Sequence, residues 1–251
     1  MSETYNPFSL KGKNILVTGA SSGIGRAIAI ECSKMGANLI ITGRDEGRLN
    51  ETMQKLTMRC HIGYIGDLTS EDDVERIAES CEQLDGVVHC AGIGDRTILS
   101  AIKRKTLDKV MNINFNAPVL LQKALLKKKK IADKASIVFV ASRAPFAPTV
   151  GNGLYAASKG ALIAYSKVLG LELSERLIRV NCICPAMVWT ELVERDQEIT
   201  GVNYHEKELL YPLKRYGQPK DVAYLAIYML SDASSWMTGS CVDLTGGANS
   251  L

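Results

Sequence analysis

In the stretch SRAPFAPTVGNGLYAASKGA, residues 142–161, a serine, a tyrosine and a lysine stand among mostly small residues. Tyr155 and Lys159 are four positions apart, so on a helix running from Leu154 both side chains leave one face. A phenol is a weak acid at neutral pH, and an ammonium one turn away favours its anion, so the pair can exchange a proton with a substrate oxygen. Ser142 ends the apolar run SIVFVA, which places its hydroxyl at the carboxyl edge of a sheet, where ligands bind in such an architecture. Far upstream, NILVTGASSGIGRAIAI sets Gly19, Gly23 and Gly25 between a strand-like and a helix-like run. Such a turn brings the backbone close to a pyrophosphate, whose charge the following helix N-terminus stabilises. Taken singly, these residues fit a strand cap, a helix face and a structural turn. In one chain they suggest a nucleotide cofactor beside a proton donor.

The elements that must position these groups follow from the apolar pattern. NILVTG, NLIITG, CHIGYIGD, LDGVVHCAG, SIVFVAS, RVNCICPA and GSCVDLTGG are short runs ending in Gly, Asp, Ser or Pro, and they read as strands buried on both faces of a parallel sheet. Helix-period segments lie between them, among them GRAIAIECSKMG, EDDVERIAESCEQL, GALIAYSKVLGLELSERL and PKDVAYLAIYMLSD. The alternation predicts an α/β fold, a single doubly wound parallel sheet with helices on both faces, spanning residues 1–251 as one domain. With 46% hydrophobic and 23% charged residues the composition is that of a soluble globular protein. There is no apolar run long enough to cross a bilayer and no secretory pattern in MSETYNPFSLKGKN, so a cytoplasmic location is expected. A net charge of +3 without a basic–aromatic stripe argues against nucleic acid. Seven cysteines, without a CxxC pair or zinc spacing, read as packed thiols, and no metal is expected.

The spacing G-x-x-x-G-x-G after a threonine resembles the short-chain dehydrogenase/reductase family. The resemblance extends over nearly the whole chain through TGASSGIG, Asp67 in GDLTS, CAG at 90–92, Asn114 in NINFN, Ser142, YAASK at 155–159, CPAMVWT at 184–190 and the terminal LTGGANS. It implies a Rossmann-type fold and a catalytic set of Asn114, Ser142, Tyr155 and Lys159. Tyr155 would protonate a substrate carbonyl oxygen, Ser142 would hold and polarise that oxygen, Lys159 would contact the nicotinamide ribose and tune Tyr155, and Asn114 would anchor a water for proton relay. The cofactor would be bound by Gly19, Ser21, Ser22, Gly23, Ile24 and Gly25 at the turn, by Asp67 and Leu68 at the adenine, and by Cys90, Ala91 and Gly92. Tyr155, Lys159, Pro185, Val188 and Thr190 would complete the set. NADP(H) is expected, because Arg44 matches the arginine of NADP-preferring members and the preceding position, often acidic in NAD enzymes, is Gly43. A rival places the ribose on Asp45, which also suits the N-cap of the next helix. Asp67 has a rival role too, as the cap of the helix after TSED. The chain departs from the family pattern at Ala186, where glycine is usual, and at His89-Cys90, where two asparagines are usual.

By overall look the nearest subgroup is the β-ketoacyl-acyl-carrier-protein reductases, through PLKRYGQPKDVAYLAIYMLSD and WMTGSCVDLTGG. The implied reaction is NADPH-dependent reduction of a small-molecule or carrier-bound ketone, placing the chain in fatty acid biosynthesis. Reduction of a sugar, steroid or xenobiotic ketone fits the same residues, and a non-catalytic dinucleotide-binding regulator is the rival of another class. Residues 189–212 lack a clean period and suggest a substrate lid. Lys127 to Lys130, with Arg143 and Arg176, read either as a solvated helix end or as a basic dock for an acidic carrier protein. The family habit of assembly implies a homotetramer through PVLLQKALL and GALIAYSKVLGLEL.

Overall fold

The computed structural model describes residues 5–57 and 60–248. Residues 1–4 of the N-terminal stretch and residues 249–251, which include the end of LTGGANS, lie outside the described residues. Strands β1 (Asn14–Thr18), β2 (Asn38–Gly43), β3 (Ile62–Ile65), β4 (Leu84–His89), β5 (Ile131–Val140), β6 (Arg179–Pro185) and β7 (Cys241–Leu244) form one parallel sheet in the order β3-β2-β1-β4-β5-β6-β7. Helices α1 (Gly23–Lys34), α2 (Glu46–Gln54), α3 (Glu71–Ser80), α4 (Arg104–Met111), α5 (Ala117–Lys127), α6 (Gly153–Glu172), α7 (Glu191–Thr200), α8 (Tyr204–Glu208) and α9 (Pro219–Leu230) connect them.

Alternate residues of each central strand feed opposite cores, as the period of two requires. Ile137 and Phe139 pack with Leu121 of α5 and Leu162 of α6, whereas Val138 and Val140 pack with Ile28 of α1 and Val222 of α9. Burial on both faces explains why these runs are apolar without alternation. β3 departs from that expectation: Ile62 is 43% and Ile65 41% exposed, because the strand stands at the sheet edge and pairs only with β2. The strand order reverses at β1, flanked by β2 and β4, and a crevice opens at the carboxyl ends of β1 and β4.

Local hydrogen bonds show which residues cap α2 and α3. Asp45 Oδ1 accepts from the Arg48 amide at 2.9 Å and caps α2. The cap of α3 is Ser70, not Asp67, whose Oδ1 instead accepts from the Thr69 amide at 2.9 Å and hydroxyl at 2.8 Å. Residues 189–212 contain α7 and α8, tied down by an Arg48–Glu191 ion pair, by Arg96 donating to the Tyr204 hydroxyl at 3.0 Å, and by Trp189 Nε1 donating to Glu208 at 2.7 Å. Among the described residues no helix is long and apolar enough to cross a membrane.

Candidate active site

The glycine turn is shaped by contacts that leave no room for side chains. Gly19 has φ +67°, and a Cβ there would stand 2.8 Å from the Ala91 Cα. A Cβ on Gly25 would meet the Gly19 carbonyl oxygen at 2.3 Å. Thr18 fastens the turn to the loop after β4, its Oγ1 accepting from the Cys90 amide at 3.0 Å and the Ala91 amide at 3.1 Å. Ser22 precedes α1 without a side-chain cap bond, and the first turn carries no acidic residue. Its amides are thus left to an anion, and the cradle fits a pyrophosphate.

From this turn a cleft of about 790 Å³ runs across the carboxyl edge of the sheet. Gly19, Ser21, Ser22, Gly23, Ile24 and Gly25 line one end, with Arg44 after β2 and Asp67 and Leu68 after β3. Cys90, Ala91 and Gly92 line the middle, and Pro185, Ala186, Val188 and Thr190 enter after β6. Ser142, Tyr155 and Lys159 line the same cleft from the end of β5 and the first turns of α6. Lys159 is only 5% exposed, and its ammonium donates to the Val140 carbonyl at 2.8 Å and lies 5.9 Å from the centre of the Tyr155 ring. Ser142 Oγ accepts from the Ala144 amide at 3.1 Å, which fixes the hydroxyl at the strand end.

Asn114 differs from the other three. It sits in a five-residue π-helical turn, Asn112–Asn116, is fully buried, and does not line the cleft. Its Oδ1 accepts from the Ile93 amide at 2.8 Å, and its Nδ2 donates to the Ile93 carbonyl at 2.9 Å and to Ser158 Oγ at 3.0 Å. Both side-chain donors are committed to protein, and these contacts hold the loop after β4 against α6. Thr18 and Ser158, which complete these ties, lie within the motifs TGASSGIG and YAASK but were given no role of their own from sequence. Arg96, Met187 and Tyr211 line the cleft from irregular segments that carry no periodic signal.

Arg44 is exposed and stands 3.9 Å from Asp67 Oδ2 at the mouth. The Thr69 amide, aided by its hydroxyl and by Arg44, holds Asp67 below the usual carboxylate range against the opposing effect of burial. The lysine run is less free than expected. Lys128 bridges Glu75 and Glu79 at 2.8 Å each, Lys130 donates to the Glu79 carbonyl at 3.0 Å, Arg143 pairs with Asp243 at 3.0 Å and Arg176 with Asp133 at 2.8 Å. Three of the six cations of the supposed dock, Lys128, Arg143 and Arg176, are therefore paired with carboxylates.

The His89-Cys90 departure is absorbed by packing. The Cys90 thiol lies against the apolar core, and burial pushes it up to about 12. His89 stacks on Phe139 at 4.7 Å, and its Nε2 bonds Gln122 Oε1 at 3.0 Å. Burial pulls His89 down to about 4 from an ordinary value of 6.5. The unfolded chain takes up this proton near pH 6.5 and the folded chain only near 4, so the contribution is intact above 6.5 and is lost as pH falls between the two. Denaturant titrations at neutral pH and near pH 4 should show a loss of about 3 kcal/mol from this group. That part of the slope should vanish in His89→Asn. An identical pH dependence in the variant would mean that His89 is not the group involved.

A family model described as enoyl-(acyl carrier protein) reductase matches residues 19–249. The chain belongs to the short-chain dehydrogenase/reductase family of oxidoreductases. It is similar to the 3-oxoacyl-acyl-carrier-protein reductase FabG of Rickettsia conorii, at 31% identity over 241 residues covering 95% of this chain and 97% of that one. L-xylulose reductase of Caenorhabditis elegans is 30% identical over 248 residues, covering 96% and 97%. The solved structure of a short-chain type dehydrogenase/reductase from Mycobacterium ulcerans superposes with a TM-score of 0.87 at 28% identity, covering 95% of this chain and 90% of that one.

Proposed function

We propose that this chain reduces a ketone to a secondary alcohol with NADPH, and that its substrate is a 3-oxoacyl thioester. The observation that carries the reading is that Ser142, Tyr155 and Lys159 line the same cleft as the glycine turn. The turn, with Asp67, Leu68 and Arg44, suits the adenosine and phosphate half of the dinucleotide, and the side chains after β4 and β6 suit the nicotinamide half. When bound, NADPH supplies the hydride. Ser142 holds the carbonyl oxygen, and the Tyr155 hydroxyl gives it a proton as negative charge develops there. Lys159, fixed by Val140, favours the tyrosinate left behind. Asn114 is a positioning residue that keeps Ile93 and Ser158 in place. Residues 189–212 act as the substrate lid. Exposed Leu120 on α5 and Val168 and Leu171 on α6 support a homotetramer built on those helices, for which light scattering is the test.

The similarity to the Rickettsia conorii reductase supports a thioester substrate. Two observations favour a small polar ketone as the second reading. The L-xylulose reductase is nearly as similar, and Lys128 within the lysine run is paired to Glu75 and Glu79. NADPH consumption by the purified protein should be followed with a carrier-bound 3-oxoacyl thioester, its free thioester mimic and a pentulose. Thioester turnover is expected. Turnover of the pentulose alone moves the assignment to small polar ketones, and consumption with no ketone of a wider panel refutes the reaction.

A further inference from the structure

Two cysteines that the reaction does not use are neighbours across the sheet. Cys182 of β6 and Cys241 of β7 are register partners, and paired positions of parallel strands direct their side chains to one face. Both lie on the α6 side. Cys182 belongs to the core beneath that helix and donates to Ser166 Oγ at 3.0 Å, and Cys241 packs against the same core. Neighbouring strands stand about 4.8 Å apart, inside the window of roughly 4.4–6.8 Å that a disulfide spans between Cα atoms. Among the described residues β7 is the last strand of the sheet and pairs only with β6, so it can make the small approach that closure needs without breaking a ladder on its other side.

The two thiols are chemically unequal. Cys182 is buried, whereas Cys241 is partly exposed at the sheet edge. The adjoining Cys182 thiol holds Cys241 below the ordinary thiol range and is itself raised, and the Lys167 ammonium acts on Cys241 in the same direction. Burial instead pushes up Cys32, Cys81, Cys90 and Cys184. A reachable thiolate beside a buried thiol is the arrangement of an attacking and a resolving sulfur.

We propose that Cys241 and Cys182 are a peroxide-oxidisable pair that closes into a disulfide joining β6 and β7. The Cys241 thiolate attacks one oxygen of hydrogen peroxide, the O–O bond breaks, and hydroxide leaves. Sulfur is thereby oxidised to the sulfenic acid and the peroxide is reduced. The Cys182 sulfur then attacks the Cys241 sulfur, and its proton departs with the sulfenic hydroxyl as water. The bond fastens an edge strand whose continuation reaches the cleft through Ala248. It does not depend on which ketone is reduced.

The test uses the folded protein, exposed to hydrogen peroxide near neutral pH, alkylated, digested and mapped by mass spectrometry. Two of the seven thiols should disappear together, one linked peptide pair containing Cys182 and Cys241 should appear, and dithiothreitol should reverse both changes. In Cys182→Ser, dimedone should trap sulfenic acid at Cys241 several-fold more than at exposed Cys60. Cys60→Ser should leave the link unchanged. The proposal is overturned if both thiols stay free while Cys60 oxidises, if the link joins another pair, or if it forms only after unfolding. The wild-type map decides the matter even where a variant folds poorly.

Discussion

Tyr155→Phe should lower kcat on a verified ketone by about 10²–10⁴-fold, the worth of a positioned general acid, and leave NADPH affinity nearly unchanged. The ring is held by α6 whichever substituent it carries, so the variant removes a proton donor and little else. Measured by single-turnover kinetics with cofactor binding followed separately, the loss should fall wholly on the chemical step. Lys159→Ala should behave differently. Its ammonium is buried, bonds Val140 and would lie 3.3 Å from a Cβ on Gly92, so the substitution disturbs the cleft wall and the cation together. Cofactor affinity and rate should both fall, and a buried carbonyl left without its donor adds about 1–3 kcal/mol of destabilisation. Wild-type activity in Tyr155→Phe would refute the proton-donor role.

The parts of this molecule that could be read from sequence are those that local physics dictates. The glycine turn is legible because Gly19 and Gly25 admit no side chain, and the central strands because burial on both faces demands unbroken apolar runs. The spacing of Tyr155 and Lys159 is legible because helical geometry puts them on one wall. What escaped depends on partners far away in the chain. β3 has the apolar run of an inner strand, yet its edge position follows only from the order of all seven. Asn114 carries a motif signal, but its bonds to Ile93 and Ser158 arise from a π-helical turn that no periodicity announces. The lysines at 127–130 look like a free basic run until α3 brings Glu75 and Glu79 against Lys128. Charge along the chain is visible in sequence, whereas its neutralisation across helices is not.

That distinction bears on Arg44, whose proposed cofactor role rests on position and charge together. Its side chain is 60% exposed at the mouth and pairs only loosely with Asp67, at 3.9 Å, so the guanidinium is not committed to a structural task. Asp45, the rival ligand for the ribose, spends an oxygen on the cap of α2 and does not line the cleft. Gly43 offers no easy route to an acidic ligand either, since a Cβ there would stand 3.0 Å from the Ser21 Cβ. The proposed preference for NADPH is therefore tested at position 44. A charge-assisted bond to a 2′-phosphate is worth about 1.5–3 kcal/mol, and Arg44→Asp both removes it and adds repulsion between anions. The ratio of kcat/KM for NADPH to that for NADH should fall roughly 100-fold or more, through KM for NADPH, while use of NADH stays the same or improves as a carboxylate meets the free ribose hydroxyls. Arg44→Gln, which lacks the repulsion, should fall between the two. Steady-state kinetics with both cofactors on one substrate decides the matter. If the ratio is unchanged in Arg44→Asp, the 2′-phosphate is held elsewhere, or the enzyme does not distinguish the cofactors by that group.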